Sequence, residues 1–287
     1  MTYAAFFEIV NIIPECREVF FEIQKRECKA HFEKNVDTAI QRIKESDESF
    51  GAFLPGFALE EALTAEELNL YIYLRILKDT YENCKRQGIP DEVFIETANG
   101  INLNAIGCKK RYGMYGVPQK VYREWLRIIV LGKLYSLNKR FKFEIRESDC
   151  QGNVFGQDLK VGDTVISIHI PSGFKLEKEE FEASIEDARV FFSKHFGMKN
   201  IVFRCCSWLM HPWLKDALPD GSRILEFQNS FKILNTEENL EEVMTWVFPG
   251  HSRDDISSLP ADTSLRRACI ENLKNNVPMG LGMGFRI

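Results

Sequence analysis

The stretch Thr164-Val-Ile-Ser-Ile-His-Ile-Pro-Ser-Gly173 decides the fold. In an extended chain, Ile166, Ile168 and Ile170 fall on one face and Val165, Ser167 and His169 on the other. Such period-two patterning, rich in β-branched residues, predicts a strand over 164–170. Pro171, Ser172 and Gly173 end it, because proline has no N–H for a ladder and serine and glycine favour turns. The period then changes to 3.6. Phe181, Ile185, Ala188 and Phe192 form the apolar stripe of a helix over roughly 179–196, and Gly197 is its stop. A second strand follows over 201–206. Strand, turn, helix, strand predicts a right-handed crossover joining two parallel strands.

Working outward, Phe141, Phe143 and Ile145 alternate with Lys142, Glu144 and Arg146, and turn residues follow at Asp149 to Asn153 and Val161 to Asp163. These predict antiparallel strands. Upstream, helical spacing covers 2–24 (broken at Pro14), 30–44, 60–86, 91–109 and 118–135. Downstream, a short helix is expected near 212–217 and a long strand over 223–234. That strand places Glu226, Gln228 and Ser230 opposite Leu225, Phe227, Phe231 and Ile233. A further strand is expected at 243–248, a helix at 263–274 and a terminal strand near 281–287. On that last strand Gly280, Gly282 and Gly284 share one face, which permits close backbone packing. The fold class is therefore α+β: an N-terminal all-helical domain, 1–137, and a mixed β-sheet domain with flanking helices, 138–287. Limited proteolysis is expected to cut between Tyr135 and Phe141, where the period changes; cleavage confined to other sites would contradict that division.

With 287 residues, 45% hydrophobic and 28% charged, the composition is that of a folded globular chain. Its apolar runs are far shorter than the roughly 20 residues of a membrane span, and Met1 to Pro14 has Glu8 but no basic residue, unlike a secretory leader. A cytoplasmic protein without membrane partners is expected. The net charge of −5 gives no general attraction for nucleic acid. Locally, however, 109–140 carries nine basic residues against the single acid Glu124, and Lys120, Arg123 and Arg127 share one helical face suited to an anion. The eight cysteines include no C-x-x-C pair and the five histidines no ligand spacing, so reduced thiols and no metal site are expected.

There is no P-loop, no G-x-S-x-G elbow and no G-x-G-x-x-G between a strand and a helix. Four segments in order, I-H-I-P-S-G (168–173), S-I-E-D-A-R-V-F-F (184–192), C-C-S-W-L (205–209) and L-P-A-D-T-S-L-R-R-A (259–268), resemble a family of bacterial acyltransferases with an N-terminal helical N-acyltransferase domain and a GNAT-like C-terminal domain. The element order over 164–248 agrees with a GNAT core independently. The resemblance implies transfer of an acyl group from a thioester donor, acyl-CoA, to an amine or hydroxyl of a small-molecule or peptide acceptor. It implies no permanently bound cofactor, with acyl-CoA (acetyl-CoA or longer) as co-substrate.

Carried over residue by residue, the resemblance gives Ile168 and Ile170 backbone pairing with pantetheine and makes Ser172 and Gly173 the opening of the phosphate loop. An amine nucleophile needs a base and the departing thiolate gains from a proton donor. His169 is the first candidate base and Glu226 the second. Cys206 and Ser207, after the second parallel strand, stand where such enzymes place the donor. Cys206 as nucleophile with His169 as base would instead give thioester hydrolysis. The family's glycine-rich phosphate pattern is reduced here to Gly173, and Glu177, Glu179 and Glu180 crowd the helix start that would receive a diphosphate. The donor is then expected to be held by its pantetheine and acyl portions, with phosphates reaching Lys120, Arg123 and Arg127, and an acyl carrier protein becomes a possible donor. The alternative function is a non-catalytic ligand- or partner-binding protein retaining the fold.

Overall fold

The computed structural model describes residues 1–26, 29–46, 49–118, 123–137, 141–170 and 176–287, which divide into two units, Met1–Ser136 and Leu137–Ile287. The first holds α1 (Tyr3–Ile9), α2 (Pro14–Gln24), α3 (Ala30–Glu45), α4 (Phe50–Glu60), α5 (Ala65–Arg86), α6 (Asp91–Tyr112), α7 (Arg123–Val130) and a short strand β1 (Leu134–Ser136). Pro14 sits in the first turn of α2, where its missing N–H costs nothing.

The helix expected over 60–86 begins only at Ala65, and α4 before it was not expected. Ala62 has a left-handed φ of 51°. Thr64 then caps α5: its hydroxyl accepts the Glu67 N–H at 3.2 Å while the Glu67 carboxylate accepts the Thr64 N–H at 3.1 Å. Thr64-x-x-Glu67 is a capping box, a signal present in the sequence. Leu68, Leu70, Tyr71, Ile72, Tyr73 and Leu74 of α5 are all buried, so this helix is enclosed on nearly every side and forms the centre of the helical core. The helix expected over 118–135 likewise ends early. Gly132 has φ 65°, and a Cβ there would strike Thr80, so only glycine permits the turn into β1.

The second unit contains β2 (Lys142–Glu147), β3 (Gly152–Val154), β4 (Gln157–Leu159), β5 (Thr164–His169), α8 (Lys178–Phe196), β6 (Phe203–Ser207), α9 (Trp213–Ala217), α10 (Arg223–Asn229), β7 (Lys232–Glu238), α11 (Leu240–Val247), α12 (Ser264–Lys274) and β8 (Gly280–Arg286). Its main sheet runs β2-β5-β6-β8-β7. β5 and β6, joined by α8, are parallel, and the other neighbours are antiparallel. β3 and β4 form a separate hairpin.

Two expected strands are corrected. The segment expected to be strand from 223 is α10, with β7 beginning only at Lys232, and 243–248 lies largely in α11. Both segments also satisfy helical spacing: Ile224, Phe227, Gln228 and Phe231 in one, Leu240, Val243, Met244 and Val247 in the other. Local chemistry decides. Gln228 is buried and donates to the carbonyls of Leu209 and His211, each at 3.0 Å, which a helical position allows. Asn239 caps α11 by accepting the Glu242 N–H at 3.1 Å.

Register fixes the faces of the sheet. Phe143, Ile145, Ile166, Ile168 and Phe203 share one face. α8 covers it, with the Phe143 and Phe192 rings 6.5 Å apart and Phe143 and Phe203 6.3 Å apart. Lys142, Glu144, Ser167, His169 and Arg204 share the other face. The hairpin covers one end of that face, where Val154 and Leu159 cluster with Val165, Val202 and Phe285. The three glycines of β8 lie on the α8 face. A Cβ on Gly280 would run into the Glu237 carbonyl, and one on Gly282 into the Met210 carbonyl. No helix among the described residues is long and apolar enough to cross a membrane.

Candidate active site

β5 and β6 begin as neighbours and then part. Their register holds for Ile166 with Phe203 and Ser167 with Arg204; the next pair, Ile168 with Cys205, is not formed. Each strand stays attached to its outer neighbour beyond that point, β5 to β2 through His169–Lys142 and β6 to β8 through Ser207–Gly282. A parallel pair held from both sides and released in the middle is a wedge that opens at the carboxyl ends of its strands. The Ile166 N–H donates to the Val202 carbonyl at 3.0 Å. The two-residue repeat of a strand therefore turns main-chain groups of Ile168 and Ile170 toward the β6 side, where the ladder stops.

His169 ends β5 beside this wedge. Its Nε2 lies 2.8 Å from Oε2 of Glu144 on the adjacent strand β2. The Glu144 side chain is only 11% exposed and that of His169 31%. An ionised carboxylate only accepts hydrogen bonds, so this contact suits a ring protonated on Nε2, with Nδ1 as the basic nitrogen. Nothing in the sequence flags Glu144, which reads as one of three alternating charges. Strand register alone brings it to a histidine 25 positions away.

Across the wedge, alternation puts Cys206 on the same face as His169 and Ser207 on the opposite face. Burial pushes the Cys206 thiol up, so it is a thiol and not a thiolate at neutral pH. That protonation state suits a proton donor and removes the activation a nucleophile requires. The Ser207 hydroxyl accepts the Leu209 N–H at 3.2 Å, a bond that does not use its own proton.

Arg204, next to Cys205 and nearly buried, holds Asp149 in a two-point pair at 3.1 and 2.6 Å. Burial alone would raise the Asp149 carboxyl, but the hydrogen bond and charge of Arg204 outweigh it and leave the carboxyl below its ordinary value. A depressed carboxyl contributes stability above its unfolded pKa and loses it as pH falls through the folded one. Asp149→Asn is therefore expected to lower the melting temperature at pH 7, by an amount that shrinks as pH falls through the folded value; a loss that does not change with pH would show that the charge pair contributes nothing.

The remaining expected site residues separate. Glu226 is not on a strand facing His169. It lies in the first turn of α10, lining a small hollow with Glu177, Phe181, Glu182 and Arg223 beside the start of α8, on the side of the sheet that α8 covers. Arg223 pairs with Glu177 at 3.2 Å, so one of the three carboxylates at the helix start is neutralised. Arg127 is engaged within the helical unit: its guanidinium donates to the carbonyls of Ile43 and Lys44, at 2.8 and 3.4 Å, satisfying the last turn of α3, and to Glu124 at 3.5 Å. Lys120, Ser172 and Gly173 lie outside the described residues, as does the Arg123 side chain. Cys16, Cys84, Cys108, Cys150, Cys205, Cys206 and Cys269 are free thiols, and among the described residues no group of His, Cys, Asp or Glu could hold a metal ion.

Comparison with known proteins fits this architecture. Residues 2–132 match the N-acyltransferase N-terminal domain and residues 130–286 the GNAT-like C-terminal domain. No curated protein matches the chain. Similar solved structures include an acyltransferase mutant in complex with octanoyl-CoA (TM-score 0.68, 20% identity, covering 99% of this chain and 87% of that one). Others are an acyltransferase in complex with decanoyl-CoA and teicoplanin (0.66, 20%, 99% and 87%) and one in complex with CoA and 10C-Teicoplanin (0.63, 22%, 89% and 76%). At these identities the likeness shows a common fold. A helical first unit, a second unit with a wedge between two parallel strands, and family matches that together span residues 2–286 lead to one assignment: the chain belongs to the N-acyltransferase family built from an N-acyltransferase N-terminal domain and a GNAT-like C-terminal domain.

Proposed function

We propose that the chain transfers an acyl group from acyl-CoA directly to an amine, with His169 as general base and the β5–β6 wedge as the seat of the thioester. The observation that carries this reading is the release of β5 from β6 after Ser167–Arg204 with His169 at the lip. The amide groups of a pantetheine arm can add to main chain turned into such a wedge, as a strand adds to a sheet edge. The amine nitrogen attacks the thioester carbonyl carbon and gives up a proton to Nδ1 of His169. The C–S bond breaks, and the departing sulfur takes a proton from Cys206 or Ser207 on β6. The elevated Cys206 thiol favours this direct route over an acyl-cysteine intermediate.

Among the similar solved acyltransferases, one holds octanoyl-CoA, one decanoyl-CoA with teicoplanin, and one CoA with 10C-Teicoplanin. For this chain we propose medium-chain acyl-CoA as donor and an amine of a small molecule or peptide as acceptor, with an amine-bearing glycopeptide of the teicoplanin kind as the first acceptor to test. Thiol release from octanoyl-CoA or decanoyl-CoA, followed with a thiol reagent, is expected only when an amine acceptor is present, and mass spectrometry is expected to show one acyl group on the acceptor. Thiol release independent of any acceptor and abolished by Cys206→Ala would instead establish thioester hydrolysis.

A further inference from the structure

We infer that Glu144 is a positioning residue: it holds the proton on Nε2 of His169 and so gives Nδ1 to the reacting amine. This rests on the reading of His169 as the base. The geometry has three parts. The Glu144 side chain is almost fully buried while its partner ring is about one third exposed, so the carboxylate is the fixed member and the ring the working one. The 2.8 Å contact is made across neighbouring strands whose register is set by six successive pairs, so it does not depend on a mobile side chain finding its partner. Finally, the carboxylate occupies Nε2, so a proton held there makes Nδ1 the basic nitrogen of the neutral ring.

The catalytic consequence is a matter of charge. A base that takes a proton from an amine becomes cationic, and a buried carboxylate at hydrogen-bond distance stabilises that cation as it forms. Other charges share this face. Lys142 lies opposite His169 in the register; Arg146 is further along β2; Arg204, on β6, is paired with Asp149; and Cys206 on β6 is a neutral thiol. The α8 side chains belong to the other face. Glu144 lies within hydrogen-bond reach of the ring.

The test uses the full chain without donor. Nitrogen-15 NMR of His169, assigned by its loss in His169→Ala, is expected to show the Nε2-protonated tautomer in the wild type. Glu144→Gln keeps an acceptor oxygen and should keep that tautomer while lowering kcat/KM, since the charge beside the forming imidazolium is gone. Glu144→Ala should lose the tautomer preference as well. A wild-type ring protonated on Nδ1, which needs no variant to observe, overturns the inference. So does a Glu144→Ala protein that keeps the Nε2-protonated tautomer. If the tautomer behaves as expected but His169→Ala transfers acyl groups at the wild-type rate, the pair exists and the base assignment is what fails.

Discussion

His169→Ala is expected to slow acyl transfer by about 10²-fold or more, the usual scale for loss of a positioned base, while the melting temperature stays close to wild type. The ring stands at the end of β5 and is about one third exposed, so removing it opens no sealed cavity; on the proposed mechanism it removes the group that accepts the amine proton. The effect should fall on kcat, with the KM for acyl-CoA little changed, because that mechanism has the donor read by main chain and not by the imidazole. Alkaline pH should restore part of the rate, since there a larger share of the acceptor arrives already deprotonated. A variant with wild-type turnover would remove His169 from the chemistry. Glu226→Gln is the informative companion: Glu226 lies on α10 beside the start of α8 and is expected to leave turnover within a few-fold of wild type.

The second large effect is on stability. Gly280→Ala and Gly282→Ala are each expected to cost about 3 kcal/mol, the upper part of the range for overpacking a core, because the added methyl would meet main-chain atoms that cannot move aside: the Glu237 carbonyl in one case and the Met210 carbonyl in the other. Gly284→Ala should be milder, since its nearest neighbour is the end of the flexible Met210 side chain. Thermal or urea denaturation checks the order. Equal and small losses at all three positions would mean that β8 does not seat against the turn at Trp208–Met210.

Where one period dominated, the sequence was a good guide. The alternation of Thr164 to His169 has no competing helical reading, and β5 stands where it was expected; the stripe of Phe181, Ile185, Ala188 and Phe192 likewise became α8. Where both periods were satisfied, as in Arg223 to Phe231, side-chain alternation misled, and the buried bonds of Gln228 decided for helix. The site divides in the same manner. The place of His169 at the end of β5 was legible because a histidine that closes an alternating run before Pro-Ser-Gly is a local feature of the sequence. Glu144 was not, because only the pairing of β2 with β5 brings it to the ring. Arg127 shows the converse: it shared a basic helical face in the sequence, yet its charge satisfies carbonyls of α3. The Arg204–Asp149 pair also needed register, since an arginine inside an otherwise apolar strand gives no hint of its partner 55 positions away.

The central claim, that the wedge between β5 and β6 receives an acyl-thioester, is tested most directly by thermal denaturation of the full chain against octanoyl-CoA. Binding to the folded chain alone should raise the melting temperature saturably, with about 2.7 kcal/mol of added stability at 100 times Kd. Blocking the wedge, by replacing half-buried Cys206 on β6 at its open end with a bulky tryptophan, should abolish the rise without unfolding the protein at assay temperature. A melting temperature that does not respond to octanoyl-CoA at millimolar concentration, or responds equally in wild type and the blocked variant, would contradict the account.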